Sequence, residues 1–262
     1  MTNVKKCSTV VIKENVMFGT IHLVFLGVTL ALVAVATVLS VKFKLKFKTA
    51  AIIALIIAIA TEIEKIATHM LWVDQSNHAM GMCLNPDALP FHLCPIFMLI
   101  FLVLPTSKEG KTKEGLKSLL ALVAPLAALC ALILPETTFS YKNPDIYELF
   151  LRHGMMVWFG LYLICTKQAQ TGLRAYIRNI IIMAITVFMM IWVNSIFSVY
   201  QTNYFYIVRP PYEGLPILNL NHGYAAYFFT VVALGLVAIT LVHLPFIIVE
   251  AVQKKKARTQ NK

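Results

Sequence analysis

Seven long runs of apolar residues constrain what this chain can fold into. A helix rises about 1.5 Å per residue, so about 20 apolar residues cross roughly 30 Å of hydrocarbon. The runs lie at residues 17–41, 49–73, 89–105, 118–135, 147–166, 179–200 and 224–248. With 59% hydrophobic residues, the chain has more apolar surface than a soluble core hides. We therefore predict an all-α polytopic membrane protein with seven transmembrane helices.

Lysine and arginine alternate between the predicted connections and so indicate an orientation. With the amino terminus outside, the cytoplasmic side holds sixteen of these residues and the outer side five. The positive-inside rule favours this arrangement, with a cytoplasmic carboxyl terminus, in a multi-pass protein of the cell membrane. Basic loops beside anionic lipid explain the net charge of +11, so we predict no nucleic-acid partner.

The chain shows no internal repeat and no linker long enough to separate domains. We expect a single domain over residues 1–262, with a short basic cytoplasmic tail at residues 249–262. Any chemistry is then expected within the membrane.

Ionisable side chains in hydrocarbon are costly, so they are the informative residues. In the second run Glu62, Lys65, His69 and Trp72 recur at spacings of three and four, which predicts one helical face. Glu62 and Lys65 also suit a structural ion pair across one turn. A helical face with this composition is not expected to contact lipid.

Polar residues on other runs fall at a similar predicted depth. Cys94 follows His92 in LPFHLCP, His153 follows Arg152 in ELFLRHG, and Asn194 ends the sixth run. At 1.5 Å per residue, His69, Cys94, His153 and Asn194 lie about 6 to 9 Å below the outer boundary.

The outer loops add further polar groups to this level. The segment NYFYIVRPP brings Asn203 and Arg209 to the same mouth. We therefore predict a functional cavity in the outer half of the bundle.

A thiol becomes a nucleophile when a neighbouring base favours the thiolate. His153, on another helix, is better placed for Cys94 than His92, which is two residues away on a different face. In acyl transfer Cys94 would attack an ester carbonyl, and Arg152, Asn194 or a helix-end amide would stabilise the oxyanion. Because coenzyme A thioesters are cytosolic, an outward site would take its acyl group from a membrane lipid. We predict a transacylase without a cofactor.

The segments LPFHLCP, RHG and NYFYIVRPP, in this order, resemble the YwaF-type integral membrane proteins. Eukaryotic relatives of that family are regarded as acyltransferases that remodel ether phospholipids without coenzyme A through an intramembrane Cys and His. The resemblance implies these roles for Cys94 and His153. It implies a phospholipid or lysophospholipid partner, and a lipid-anchored protein is an alternative acceptor. The segment LNLNHGY departs from the Pro- and Trp-rich pattern expected in the family.

Other interpretations stay open at this stage. A transporter could use Glu62, Lys65, His69 and His153 as a proton or substrate path. A sensory or assembly protein would use the same groups only to pack a polar core. A disulfide from Cys83 to Cys94 would block the proposed nucleophile. The sequence has no HExxH motif and no paired CxxC motif, so we predict no metal.

Overall fold

The structure is a computed structural model that describes residues 18–74, 80–84, 86–135, 137, 140–212 and 215–260. Over these residues the chain forms seven α-helices and one β-hairpin. The helices are α1 (Thr20–Lys42), α2 (Phe47–Thr68), α3 (Leu93–Val103), α4 (Lys111–Ile133), α5 (Pro144–Cys165), α6 (Leu173–Ile196) and α7 (Gly223–Gln260). The hairpin pairs β1 (Met70–Asp74) with β2 (Met80–Leu84) in antiparallel register.

Five of these helices, α1, α4, α5, α6 and α7, are long and apolar enough to cross a membrane. The prediction of a multi-pass helical membrane protein is confirmed to that extent. Helix α2 has 22 residues and a length of about 33 Å, but it carries several charges. Helix α3 has only 11 residues, about 16 Å, so the prediction of a full-length helix at residues 89–105 is wrong.

Helix α5 lies at the centre of the bundle, where it packs against α1, α2 and α4. Its start is defined by Asn143, whose side chain accepts a hydrogen bond from the Asp145 amide at 3.2 Å. Farther along, Gly160 contacts α4 so closely that an added Cβ would lie 2.1 Å from Pro125 Cγ. A glycine is therefore required at residue 160 for the close approach of the two helices.

Contacts between helix termini define two ends of the bundle. Lys117, near the start of α4, lies 4.3 Å from the ring centroid of Phe47, which begins α2. Glu250 of α7 accepts a hydrogen bond from the amide of Leu173, the first residue of α6, at 2.9 Å. We call this the basic end. Its lysines and arginines lie at residues 42–48, 108–117, 167–178 and 254–258.

The opposite end contains Cys94, and we call it the thiol end. There His22 of α1 hydrogen-bonds the carbonyl of Leu132, near the end of α4, at 2.8 Å. The Tyr212 hydroxyl donates to the carbonyl of Pro135 at 2.5 Å. Since α2 and α4 both start at the basic end, the chain returns across the bundle between them. Residues 86–107, with α3 as their helical part, make this crossing.

The hairpin lies at the thiol end and corrects the sequence prediction. The helix predicted to continue to residue 73 ends at Thr68, and Trp72 lies in β1 opposite Met82. Trp72 therefore does not share a helical face with Glu62. The first four residues of β1 are apolar and continue the hydrophobic run of α2, so periodicity alone does not separate this strand from a helix.

Helix α7 is longer than predicted and includes most of the basic tail. It continues through Gln260 as one helix of 38 residues. The Glu250 carboxylate fits over Gly172, where an added Cβ would lie 1.8 Å from Glu250 Oε2. The predicted tail at residues 249–262 is thus helical up to Gln260 and is joined to the start of α6.

Candidate functional site

Cys94 is the second residue of α3, directly at the thiol end of that helix. Its side chain is half-buried against the main core, and its thiol is free. The first turn of a helix carries a partial positive charge that favours a thiolate. The helix terminus is therefore the feature of this position that would act in favour of a thiolate.

The first turn of α3 also presents backbone donors beside this sulfur. The amides of Leu93 and Cys94 lack intrahelical acceptors, as the first amides of any helix do, and neither has another acceptor within the described part of the chain. Pro95 has no amide hydrogen, and the Ile96 amide bonds the His92 carbonyl at 3.1 Å. Two adjacent N–H groups near a thiol are the arrangement that binds an oxyanion in acyl transfer.

His153 is buried on α5, about 14 Å along the helix from Pro144. Its Nδ1 lies 2.7 Å from the Leu149 carbonyl. Because a carbonyl only accepts, Nδ1 carries the hydrogen and Nε2 of the neutral ring holds the basic lone pair. His153 is thus held in a tautomer that can accept a proton.

Among the described residues, no hydrogen bond joins His153 to the Cys94 thiol. Pairs of this kind are often loose in the absence of substrate and tighten in the reacting complex. The assignment of the two residues as a pair stays a prediction.

His92 precedes α3 and lies between two tyrosines of the loop that follows α6. Its ring centroid is 5.3 Å from that of Tyr204 and 5.6 Å from that of Tyr206. Tyr204 is fully buried and donates from its hydroxyl to the Pro86 carbonyl at 2.5 Å. Tyr204 is therefore a core residue of the site. Periodicity gave no signal for this packing.

The loop at residues 201–209 covers the start of α3 in a strained backbone conformation. Gln201, Phe205 and Tyr206 have φ values of 57°, 62° and 53°. Left-handed conformations cost a non-glycine residue about 1 kcal/mol or more each. The surrounding structure must stabilise them, and strain of this kind is concentrated at functional sites.

Two predicted site residues, Asn194 and Asn203, hold this loop in place. The Asn194 amide bonds both backbone groups of Tyr204, the nitrogen at 2.9 Å and the oxygen at 3.1 Å. Asn203 accepts from the amides of Val208 and Arg209 at 3.1 Å and donates to the Arg209 carbonyl at 2.8 Å. The exposed Arg209 side chain donates to the Gln201 carbonyl at 2.8 Å. Asn203 and Arg209 bond the loop backbone, and Asn194 bonds the loop and the Met190 carbonyl of α6. Binding of a substrate by these three side chains stays a prediction.

Four charged side chains form an ion network between α2 and α5. Lys65 lies 2.7 Å from Glu62, and Glu62 lies 3.1 Å from Arg152. Arg152 also contacts Glu148 and donates to the Thr61 carbonyl at 3.1 Å. The network balances two positive charges with two negative charges. The predicted pairing of Glu62 with Lys65 across one turn is confirmed.

Some polar atoms near this network have no hydrogen-bond partner among the described residues. They include Arg152 Nε and both carboxylate oxygens of Glu64, all buried. Glu62 Oε2 and Glu148 Oε1 are also buried, and their contacts are the ion pairs with Arg152. Such atoms are costly unless water or the polar part of a ligand completes them. This makes the region between α2 and α5 suited to a polar group.

His69 forms the C-cap of α2, close to the start of α5. Its Nδ1 lies 2.9 Å from the Lys65 carbonyl and 4.0 Å from the Asp145 carboxylate. The half-exposed ring therefore links the ends of two helices. Its predicted role in substrate binding stays a prediction.

The cysteines of the helices and the groups that could bind a metal ion are also described by the structure. Cys94, Cys130 and Cys165 carry free thiols, so Cys94 is not in the alternative disulfide with Cys83; the Cys83 side chain lies outside the described part of the structure. Over the ranges that are described, no group of three His, Cys, Asp or Glu side chains has the geometry to hold a metal ion.

A second polar cluster lies toward the basic end, where the sequence indicated little beyond His243. Asn179 donates to the Ser118 hydroxyl at 3.2 Å and to His243 Nε2 at 3.1 Å. His243 Nδ1 bonds the Ile239 carbonyl at 2.8 Å. His22 is also satisfied, by the Leu132 carbonyl and the Phe18 amide. Both histidines therefore have neighbouring groups as hydrogen-bond partners.

Comparison with known proteins gives one family. Neither the curated proteins nor the solved structures include a significant match. Among protein families, the TMEM164 family matches residues 17–243, which include all the site residues discussed above. The matched range covers most of the chain, and the chain therefore belongs to the TMEM164 family.

Proposed function

We propose that this protein is a membrane transacylase that moves a fatty acyl chain between lipids through a thioester on Cys94. The observation that carries the proposal is the position of a free thiol in the first turn of α3, beside two amides that have no acceptor among the described residues. The same turn can stabilise both the thiolate and the oxyanion that its attack creates.

In the first half-reaction, Cys94 Sγ attacks the ester carbonyl carbon of a phospholipid. His153 Nε2 accepts the thiol proton, and the amides of Leu93 and Cys94 bind the oxyanion. The ester C–O bond then breaks, and the proton passes from His153 to the leaving oxygen. A lysophospholipid departs, and the acyl chain stays on Cys94 as a thioester.

In the second half-reaction, the hydroxyl of a lysophospholipid attacks the thioester carbonyl. His153 accepts that hydroxyl proton and returns it to the sulfur as the C–S bond breaks. A lipid-anchored protein with a suitable nucleophile is a second possible acceptor. No cofactor is needed, since the energy of one ester bond is carried to the next.

Other groups at the thiol end are proposed to hold the polar part of the lipid. Nε of the buried Arg152, which has no hydrogen-bond partner in the described ranges, can donate to a phosphate or carbonyl oxygen. Lys65, His69, His92 and Arg209 lie at the same end and are proposed to support the head group. The resemblance to YwaF-type proteins supports the same roles for Cys94 and His153.

We also propose seven crossings in the cell membrane, with the amino terminus and the thiol end outside and the basic end cytoplasmic. The excess of lysine and arginine at the basic end supports this orientation. A membrane-impermeant thiol reagent should then label Cys94 but not Cys165 on intact cells. The variants Cys94→Ala and Cys165→Ala identify which cysteine gives each signal. Labelling of Cys165 alone would show that the protein has the opposite orientation.

The proposed activity is tested with purified protein in liposomes that contain a labelled phospholipid and a lysophospholipid. Cys94→Ala and His153→Ala should abolish transfer of the labelled chain. Cys130→Ala is the matched control, because it removes a free thiol on α4 and should leave transfer intact. Transfer that survives Cys94→Ala would refute the mechanism.

A transporter is the second candidate, and the ion network of Glu62, Lys65, Glu148 and Arg152 favours it. Paired intramembrane charges can form a proton or substrate path. The same liposomes, loaded with a pH-sensitive dye, separate the two functions. Acyl transfer without proton flux supports the transacylase. Proton flux without acyl transfer supports the transporter, provided that Glu62→Gln abolishes the flux.

A further inference from the structure

We propose that Asn194 is a positioning residue of the thiol site, which acts through Tyr204 on the first turn of α3. This inference rests on the proposed function, because it explains how the Leu93 and Cys94 amides are held for an oxyanion. It replaces the direct role for Asn194 that the sequence suggested.

Asn194 has little hydrogen-bonding capacity left for a substrate. Its Nδ2 donates to the carbonyls of Tyr204 at 3.1 Å and Met190 at 2.9 Å. Its Oδ1 accepts from the Tyr204 amide at 2.9 Å and from the Thr202 hydroxyl at 3.5 Å. The side chain is 6% exposed. We call the pair of bonds between the Asn194 amide and the Tyr204 backbone the Asn194 clamp.

The clamp fixes a residue that contacts the segment leading into α3. The Tyr204 hydroxyl donates to the Pro86 carbonyl, which also accepts from the Leu89 amide at 3.0 Å. The Tyr204 ring makes edge-to-face contacts with the rings of Phe91 and His92. The ring centroids are 5.4 Å and 5.3 Å apart, respectively. Tyr204 therefore holds the chain on both sides of the turn at residues 86–92.

The direction of the Leu93 and Cys94 amides depends on the backbone of this segment. His92 is the N-cap of α3 and has no side-chain capping bond. The packing of its ring against Tyr204 restrains the N-cap residue while it leaves the first amides of α3 without an acceptor among the described residues. If the clamp is lost, Tyr204 can shift and the two amides lose their fixed direction. A displacement of about 1 Å at a reacting centre can lower a rate about 100-fold.

The test measures the reactivity of the thiol itself. Purified protein in detergent is alkylated with iodoacetamide between pH 6 and 9, and the rates at Cys94 and Cys165 are read by mass spectrometry of their peptides. Cys165 is an exposed thiol at the basic end and serves as the internal standard. The ratio of the two rates reports on the thiol site in molecules that remain folded.

Asn194→Ala should lower the Cys94 rate at least about tenfold relative to Cys165 and move its pH midpoint upward. Ser195→Ala is the matched control, since the hydroxyl of this exposed neighbour donates to the Ile191 carbonyl of its own helix at 2.8 Å, and its loss should change neither value. A ratio and midpoint in Asn194→Ala within about twofold of the wild type would overturn the proposal.

Tyr204→Phe tests the same chain of contacts without removing the clamp. It keeps the ring but loses the hydroxyl bond to Pro86, so a smaller decrease in the Cys94 rate is expected. This variant decides the matter if Asn194→Ala does not fold, because an unchanged rate in Tyr204→Phe would then refute the inference.

The two proposals fail in different ways. Transfer that persists in Cys94→Ala would refute the transacylase, whatever Asn194 does to thiol reactivity. Unchanged thiol reactivity in Asn194→Ala, with transfer abolished in Cys94→Ala, would refute only the positioning role.

Discussion

Replacement of Arg152 by glutamine should reduce stability strongly, because it removes the centre of the ion network. The guanidinium contacts Glu62 at 3.1 Å, contacts Glu148, and donates to the Thr61 carbonyl at 3.1 Å. In Arg152→Gln, Glu62 keeps its contact with Lys65 at 2.7 Å. Glu148, whose side chain is 12% exposed, then has lost its positively charged partner.

Breaking one partner of a buried ion pair costs about 3 to 5 kcal/mol. Since one carboxylate stays paired, we expect a loss of about 3 kcal/mol in the free energy of unfolding. The double variant Arg152→Gln with Glu148→Gln removes the unpaired charge, and its loss should fall to about 1 kcal/mol. The double variant should therefore be more stable than Arg152→Gln by about 2 kcal/mol, a difference of the size seen between contacting residues.

The measurement is equilibrium unfolding in mixed micelles, followed by circular dichroism. Lys142→Gln is the control, because this exposed residue lies outside the bundle and should change stability by no more than about 0.5 kcal/mol. An Arg152→Gln variant as stable as the control would refute the reasoning, and so would a double variant no more stable than the single one.

Two packing predictions use the same unfolding assay. Gly160→Ala should cost about 3 kcal/mol, because its Cβ would lie 2.1 Å from Pro125 Cγ, whereas Gly27→Ala, with open space around it, should not destabilise. Gly172→Ala should displace the Glu250 carboxylate from the first amide of α6 and cost about 1 kcal/mol. Glu250→Ala should cost about the same, and the double variant should cost little more if one contact is lost in both.

The sequence predicted the long helices well, because an apolar run of this length has few alternatives. It failed where short elements lie at the thiol end. The first four residues of β1 continue an apolar run and gave no sign of a strand. The prediction placed the start of α3 too early, at residue 89. Pro95 is tolerated only in the first turn of a helix, so its position indicates a start near Leu93.

The candidate site was only partly predictable, for a related reason. The predicted roles of Cys94 and His153 rest on residue type and on their motifs. The loop at residues 201–209 has no periodicity, and its fold depends on side-chain amides that bond its backbone. Asn194 and Asn203 were therefore assigned to a substrate, although their observed contacts are to the loop. No pattern in a single sequence distinguishes these two uses of a buried amide.

The central claim is that an acyl chain is carried on the Cys94 sulfur. The most direct measurement is mass spectrometry of the Cys94 peptide after the protein has been incubated with a phospholipid of known chain length and quenched in acid. The account predicts the mass of that acyl chain on Cys94, its removal by hydroxylamine, and its absence in His153→Ala. Acyl transfer between lipids in a protein whose Cys94 never carries the chain would contradict the account.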